Sequence, residues 1–522
     1  MGISQELHEE HIHPVLKNRY SVLLPLCAAG IIIPIVFTGP AIATPMIARD
    51  LGGSLLELGG VVNAYNVAFG SCVMAGGALA DRFGRKRCFI SGLLLFFLTS
   101  LLIGLAPSIG VLNVLRGIEG IAGALTLTSA SALIAQEFDD HLRLRAFSFL
   151  GTSFGIGLAF GPMLVGVLIA HLGWRSLFFG IALASLLVFL FSFQKVNESR
   201  DTNAKGIDWW GIALFTLALG ALTLGIVSGP EKGWEHPLVI GLLLGSAGLL
   251  ALFVLVELKS RAAMLDLSLF RYPRFIGVQL LPISTGFCFV ALLVYLPIWF
   301  IGIQGYDETR VGLAILPLTA PMLIVPLLAG ALSRHIAPGH LCGAGLLLAA
   351  LGECWLAFTL EAGADVWSVV PAMLVIGIGS GLPWGLMDGL SMSVVPKERA
   401  GMAAGIFTTM RVAGEAVAIA IIGALLVGYT ASGLRQLASE QALLDPARLG
   451  EWAGQVASGQ LGSLLEQAAS ADRQVLGQLL SAVYQQSFSA VLLLIAALTA
   501  LCALLCALTV KVDSSGGAPV HN

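Results

Sequence analysis

The stretch GGALADRFGRKR, residues 76–87, decides how this chain is read. It sets one acid and four bases between two apolar runs, 56–79 and 87–106. About 20 apolar residues in a helix cross a bilayer's hydrocarbon core, so each run is long enough to span. A short charged link between two such runs is the watery turn of a membrane hairpin, because lipid offers its backbone no partners. A faded copy, GALSRHIAPGH (330–340), lies between two further apolar runs. Setting Gly77 on Gly330 puts Leu79 on Leu332 and Arg334 opposite Asp81. LRLRAF (142–147) and PKERAG (396–401) form a second matched pair. The chain repeats itself.

Working outward, fourteen apolar runs can be counted between residues 21 and 510. Of the 522 residues, 57% are hydrophobic and 11% are charged. Soluble proteins carry charge on about a quarter of their residues. Half that charge cannot coat a soluble enzyme, and the sequence is far too apolar for a disordered chain. A net charge of −3 argues against nucleic acid as a partner. The reading is therefore an all-α polytopic membrane protein of two six-helix bundles, 21–194 and 275–510, with a two-helix insert at 208–257. Residues 1–20 and 511–522 read as polar tails, and 428–485 as one long connection with amphipathic helical pieces.

Fourteen spans put both termini on one side. Nineteen Lys and Arg residues then fall on that side and seven on the other, with Arg116 and Arg411 inside helices. Cytoplasmic loops carry the basic excess, so both termini are expected in the cytoplasm and 428–485 outside. The eight cysteines include no CxxC pair, and neither a disulfide framework nor a zinc site is expected. His8, His11 and His13 read as incidental residues of a tail, with no metal or cofactor implied. The polar start excludes a cleavable signal peptide, and the absence of GxxxxGK[ST] argues against an ATP-driven pump.

On these residues the chain resembles the major facilitator superfamily, and within it the fourteen-span drug:proton antiporters. Gly77, Asp81, Arg82, Gly84, Arg85 and Lys86 match its cytoplasmic loop motif. Arg116-Gly117 with Glu119-Gly120 is similar to its fourth-helix motif, with Glu where the family has Gln. Gly157, Gly161, Pro162 and Gly166 resemble its fifth-helix antiporter motif, with Val165 in place of one glycine. Gly173-Trp174-Arg175, Asp208-Trp209 and Leu265-Asp266-Leu267 followed by Phe270-Arg271 resemble the connecting segments. The first helix departs: Ala43-Thr44-Pro45 fits, but Val36 and Ala41 stand where an Asp and an Asn are usual. The resemblance implies a proton-coupled exporter of amphipathic organic compounds, working as a monomer in the bacterial cytoplasmic membrane. A dedicated exporter of one endogenous metabolite, an uptake symporter and a non-transporting receptor are the competing readings.

An ionisable side chain in hydrocarbon is costly and is kept where it faces a cavity or a partner. Arg116 and Glu119 are three apart, and Arg411 and Glu415 four apart, so each pair shares one helix face. With Glu353 these are the candidates for proton coupling. Asp388, near a helix end, reads as a solvated acid. Asp81 with its neighbouring arginines reads as a gate. Asn63, Tyr65, Asn66, Tyr295, Trp299, Trp355 and Trp384 are the candidates for lining a substrate cavity, since aromatic faces suit planar or cationic compounds.

Overall fold

The computed structural model describes residues 3–138, 140–199, 208–260, 265, 267–360, 366–395, 400–440, 448–467 and 473–509, with no strand among them. Residues 200–207, Asp266, Lys397, Arg399, Asp445-Pro446 and 511–522, and the side chains of His8, His11, His13, Arg143 and Arg145, lie outside this description.

The first bundle comprises α1 (Ile3–Leu51), α2 (Leu55–Phe83), α3 (Arg85–Gly104), α4 (Ile109–Glu137), α5 (Asp140–Leu172) and α6 (Arg175–Lys195). The insert is α7 (Trp209–Lys232) and α8 (Pro237–Lys259). The second bundle comprises α9 (Pro273–Gly302), α10 (Thr309–Leu332), α11 (Pro338–Thr359), α12 (Val366–Ser391), α13 (Ala400–Glu440) and α14 (Arg473–Thr509). Among the described residues thirteen helices are long and apolar enough to cross a membrane; α2, bent by 51° between Glu57–Val73 and Ala75–Phe83, makes fourteen. Several of their hydroxyls are satisfied locally: Thr38, Thr126, Ser192 and Thr223 donate to the carbonyl four residues back. That bond lets a polar side chain sit in an apolar helix.

The first helix continues back to Ile3 through the expected tail, while the apolar span itself starts at Ser21, as the sequence reading has it. One difference from that reading concerns the end of a span. The expected connection 428–485 is much shorter, because α13 runs on to Glu440 and α14 begins at Arg473. Between them Leu449–Ala457 forms an amphipathic helix whose Leu449, Ala453, Val456 and Ala457 join the main apolar core. Its apolar positions recur at helical spacing, so it folds back rather than looping into water.

Within the first bundle α1 packs along α5, and α4 along α2 and α3; in the second, α11 packs along α12 and α14. The α1–α5 crossing advances in four-residue steps. A Cβ on Gly30 would meet Leu150 and Ser153, one on Gly157 would stand 2.4 Å from the Ile31 carbonyl, and one on Gly161 would meet Ile35 at 3.1 Å. One step on the order reverses: Val165 is the large residue, and the small one is Gly39 of α1, whose Cβ would meet Val165 at 3.0 Å. Ridges of every fourth residue are interdigitating, with small residues where backbones approach.

The bundles meet through α2 with α13, α5 with α10 and α1 with α9. Thr319 donates to the Ala159 carbonyl at 3.0 Å, and a Cβ on Gly312 would stand 2.7 Å from the Met163 Cα. These contacts run from the middle of α5 and α10 toward the face distal to the termini. The insert leans on α2 and α13 through α7. Of the apolar window of α8, 17% is buried, against 78% in α9, so α8 is the lipid-side member.

Candidate functional site: a buried ion pair and a cavity between the bundles

Arg116 and Glu119 lie one turn apart on α4, both fully buried, with Nη1 2.5 Å from Oε2. Three other helices hold the pair. Ser100 of α3 donates to Glu119 at 2.5 Å. The Arg116 Nε donates to the Val61 carbonyl of α2 at 2.8 Å, and Nη2 to the Val36 carbonyl of α1 at 3.2 Å. Its guanidinium lies over the Tyr65 ring, 4.6 Å from the centroid. Close packing makes this possible, since a Cβ on Gly120 would stand 2.4 Å from the Tyr65 carbonyl. The cation therefore has three acceptors besides the carboxylate. When Glu119 takes a proton, Arg116 keeps two carbonyls and an aromatic face.

The second pair does not form as sequence spacing suggests. Arg411 makes its ion pair with Asp388, at 3.3 Å, and not with Glu415. Helix side chains lean toward the N-terminal end, and for Arg411 that direction leads to Asp388, whose side chain stays 58% exposed, as expected of an acid near a helix end. The order Arg before Glu is also the weaker one for a four-residue pair. Glu415 is 8% exposed, with its Cα against Gly286 of α9. Glu353 of α11 is fully buried, and neither carboxyl oxygen has a hydrogen-bond partner among the described residues.

A cavity opens between the bundles in the half distal to the termini, an open space of about 800 Å³ including its mouth. Its walls come from α1 (Thr44), α2 (Asn63), α7 (Val227, Pro230), α9 (Tyr295) and α13 (Gly423), with Ser458 of the folded-back segment closing one side. Asn63 and Tyr295 are brought together here. The Tyr295 hydroxyl donates to the Ile419 carbonyl at 2.8 Å, a path that needs Gly423, where a Cβ would stand 2.3 Å from that hydroxyl. Tyr65 instead belongs to the ion pair. Asn66 is buried one turn from Asn63, and neither amide atom has a hydrogen-bond partner among the described residues. Trp299 is buried against Phe300, and Trp384 packs edge-on to Phe289. Trp355 is exposed in one stripe with Leu347, Leu351 and Phe358, which marks a lipid-facing surface. Sequence reading missed Thr44, Val227, Pro230 and Ser458, since nothing in one strip of sequence shows that an insert helix and a distal segment meet α1 and α9.

The loop motif closes on its own bundle. Arg85 binds Asp81 at 2.9 Å and also Gln136 of α4. Gly84 adopts φ +112°, and a Cβ there would stand 2.6 Å from the Glu198 carboxylate. That carboxylate accepts from the backbone N–H of Lys86 and Arg87, at 3.2 Å each. Arg82 is exposed, while Lys86 donates to the Phe193 carbonyl at 3.0 Å. Gly77 is open, with nothing within 4 Å of a Cβ built there. In α5, Gly157 and Gly161 face α1, Gly312 of α10 lies against the Pro162 carbonyl, and Gly166 is buried.

The Major Facilitator Superfamily family model matches residues 26–419. The chain is 33% identical over 432 residues to the multidrug resistance protein Stp of Mycobacterium tuberculosis, covering 82% of this chain and 80% of that one. It is 30% identical over 432 residues to the probable actinorhodin transporter of Streptomyces coelicolor, covering 80% of this chain and 74% of the other. Among solved structures it resembles the inward-facing, unoccupied bacterial homologue of the human lysosomal transporter Spinster. The TM-score is 0.64 at 16% identity, over 94% of this chain and 97% of that one. This last likeness speaks to the fold alone.

Proposed function

The chain belongs to the Major Facilitator Superfamily, and from that footing we propose that it is a proton-coupled antiporter exporting amphipathic organic compounds, with Glu119 as its principal proton carrier. The observation that carries this reading is the arginine with spare acceptors. Protonating Glu119 breaks one salt bridge inside α4 without stranding Arg116, so a proton changes the charge of the site at tolerable cost. The tie to Val36, Val61 and Ser100 means that this change is felt by α1, α2 and α3 together. The cavity supplies the other half, with an apolar lining, one amide and one phenol ring suited to planar compounds with polar edges.

Several relatives bear the names of multidrug resistance or antibiotic export proteins, which favours efflux over uptake. The basic excess on the side of the termini supports cytoplasmic termini, and with them a cavity in the outer half of a bacterial cytoplasmic membrane and a monomer as the working unit. The second reading is a dedicated exporter of one endogenous product, in keeping with the relative named as a probable actinorhodin transporter. A transport assay over a compound panel in everted vesicles, with an imposed proton gradient and an ionophore control, separates the two. Broad, gradient-driven accumulation supports the drug exporter; accumulation of a single compound class supports the alternative; accumulation indifferent to the ionophore removes proton coupling.

A further inference from the structure

Gly77 and Gly330 are 253 positions apart, and the same shift carries packing contacts from one bundle to the other. A Cβ on Gly92 of α3 would meet Thr126 of α4 at 2.5 Å. A Cβ on Gly345 of α11 would meet the Gly379 carbonyl of α12 at 2.6 Å, and both residues are the shifted partners of the first pair. Gly120 closes on the Tyr65 carbonyl, and Gly377, one turn past the shifted position of Gly120, closes on the carbonyl of Leu318, which is Tyr65 shifted. The repeat is therefore structural.

The shift places Ser100 on Glu353, Arg116 on Val369 and Glu119 on Ala372. The first bundle thus carries a fully buried acid, Glu119, on its fourth helix, and the second carries one, Glu353, on its third, at the shifted position of Ser100. The first bundle gives its acid an arginine; the second has Val369 at that place. Among the described residues no positive charge faces Glu353. The Thr499 hydroxyl of α14 stands beside it, and so does Cys288 of α9, whose Sγ lies 3.5 Å from the Ser380 hydroxyl of α12. Cys288 sits in a π turn, Gly286–Val290, which interrupts α9 where it packs on Glu415. Such turns mark places where a helix can rearrange.

We propose that Glu353 is a second proton-binding site, loaded in this conformation, so that the cycle moves two protons, one per bundle. The only bond made is O–H on the Glu353 carboxylate, which removes a charge that nothing nearby offsets. The two-proton cycle rests on the proton coupling proposed above, whereas occupancy of Glu353 does not. Infrared spectra of the full chain in lipid at neutral pH test occupancy. A protonated-carboxyl C=O band should be present in the parent, lost in Glu353→Gln and displaced but retained in Glu353→Asp. A band unchanged by Glu353→Gln, or an ionised-carboxylate band lost in its place, overturns the site.

Accumulation of a transported compound at zero membrane potential tests the cycle. One pH unit is worth about tenfold per proton, so the parent should reach about a hundredfold and Glu353→Gln about tenfold. A parent already limited to about tenfold, or a variant equal to the parent, overturns the two-proton cycle. A parent that accumulates nothing counts against proton coupling as such, and the infrared band still decides Glu353.

Discussion

Arg116 donates from Nη2 to the backbone carbonyl of Val36, at 3.2 Å, at the point in α1 where relatives of the fourteen-span type usually carry an aspartate. Here the arginine meets a backbone carbonyl at that place, and Glu119, one turn along α4, supplies the carboxylate. The ion pair sits within one helix, and the Val36 carbonyl links it to α1.

Glu119→Gln should therefore remove one coupled proton from the cycle. The amide keeps the shape and the bond to Ser100 but cannot carry the proton. One charge moving through 100 mV is worth about 2.3 kcal/mol, roughly fifty-fold accumulation. The variant should lose that factor and keep no more than the accumulation that the proton on Glu353 drives. Full accumulation by the variant would make Glu119 a structural partner of Arg116.

Asp81→Asn should slow turnover several-fold and leave substrate affinity close to the parent's. Asp81 is 42% exposed and bonded to Arg85 in its own loop, far from the cavity walls. Steady-state transport with equilibrium binding on the same preparation reads both quantities. Lost binding in a folded variant would place Asp81 in the wrong role.

Gly157→Val should destabilise the protein by about 1–3 kcal/mol or more, because α1 and α5 cannot separate locally. Its first added carbon would stand 2.4 Å from the Ile31 backbone oxygen, which no side-chain rotation relieves. Thermal unfolding in detergent measures this. Gly151→Val is the control, since nothing lies within 4 Å of a Cβ there.

Tyr295→Phe should cost about 1 kcal/mol of stability, the usual worth of one hydrogen bond, and should alter which compounds are carried. The ring stays in the cavity wall while its bond to Ile419 is lost. A substrate profile identical to the parent's would argue that compounds do not pass this wall.

Cysteines introduced at positions 200 and 460 of a cysteine-free background should be labelled from opposite sides, 200 from the cytoplasm and 460 from outside. The excess of basic residues on the side of the termini motivates this assignment. The reverse labelling would invert the proposed orientation.

The spans, the repeat and the Arg116–Glu119 neighbourhood were legible because they depend on relations along one chain segment. Apolar length makes a span, a charged turn marks its end, and three residues on a helix bring two side chains to one face. The same rule misjudged Arg411, because spacing permits a partner within the helix while a second helix offered Asp388 on the side toward which the arginine leans. It was also silent on aromatic rings. Tyr65, Tyr295 and Trp355 are alike as ring-bearing residues in apolar helices, yet one covers a guanidinium, one lines the cavity and one faces lipid. In a membrane protein both the lipid side and the core side of a helix are apolar, so hydrophobicity stops distinguishing inside from outside. Only the packing of α1 on α5, α2 on α4 and α11 on α12, set by where small residues let backbones approach, decides which face each ring presents to what.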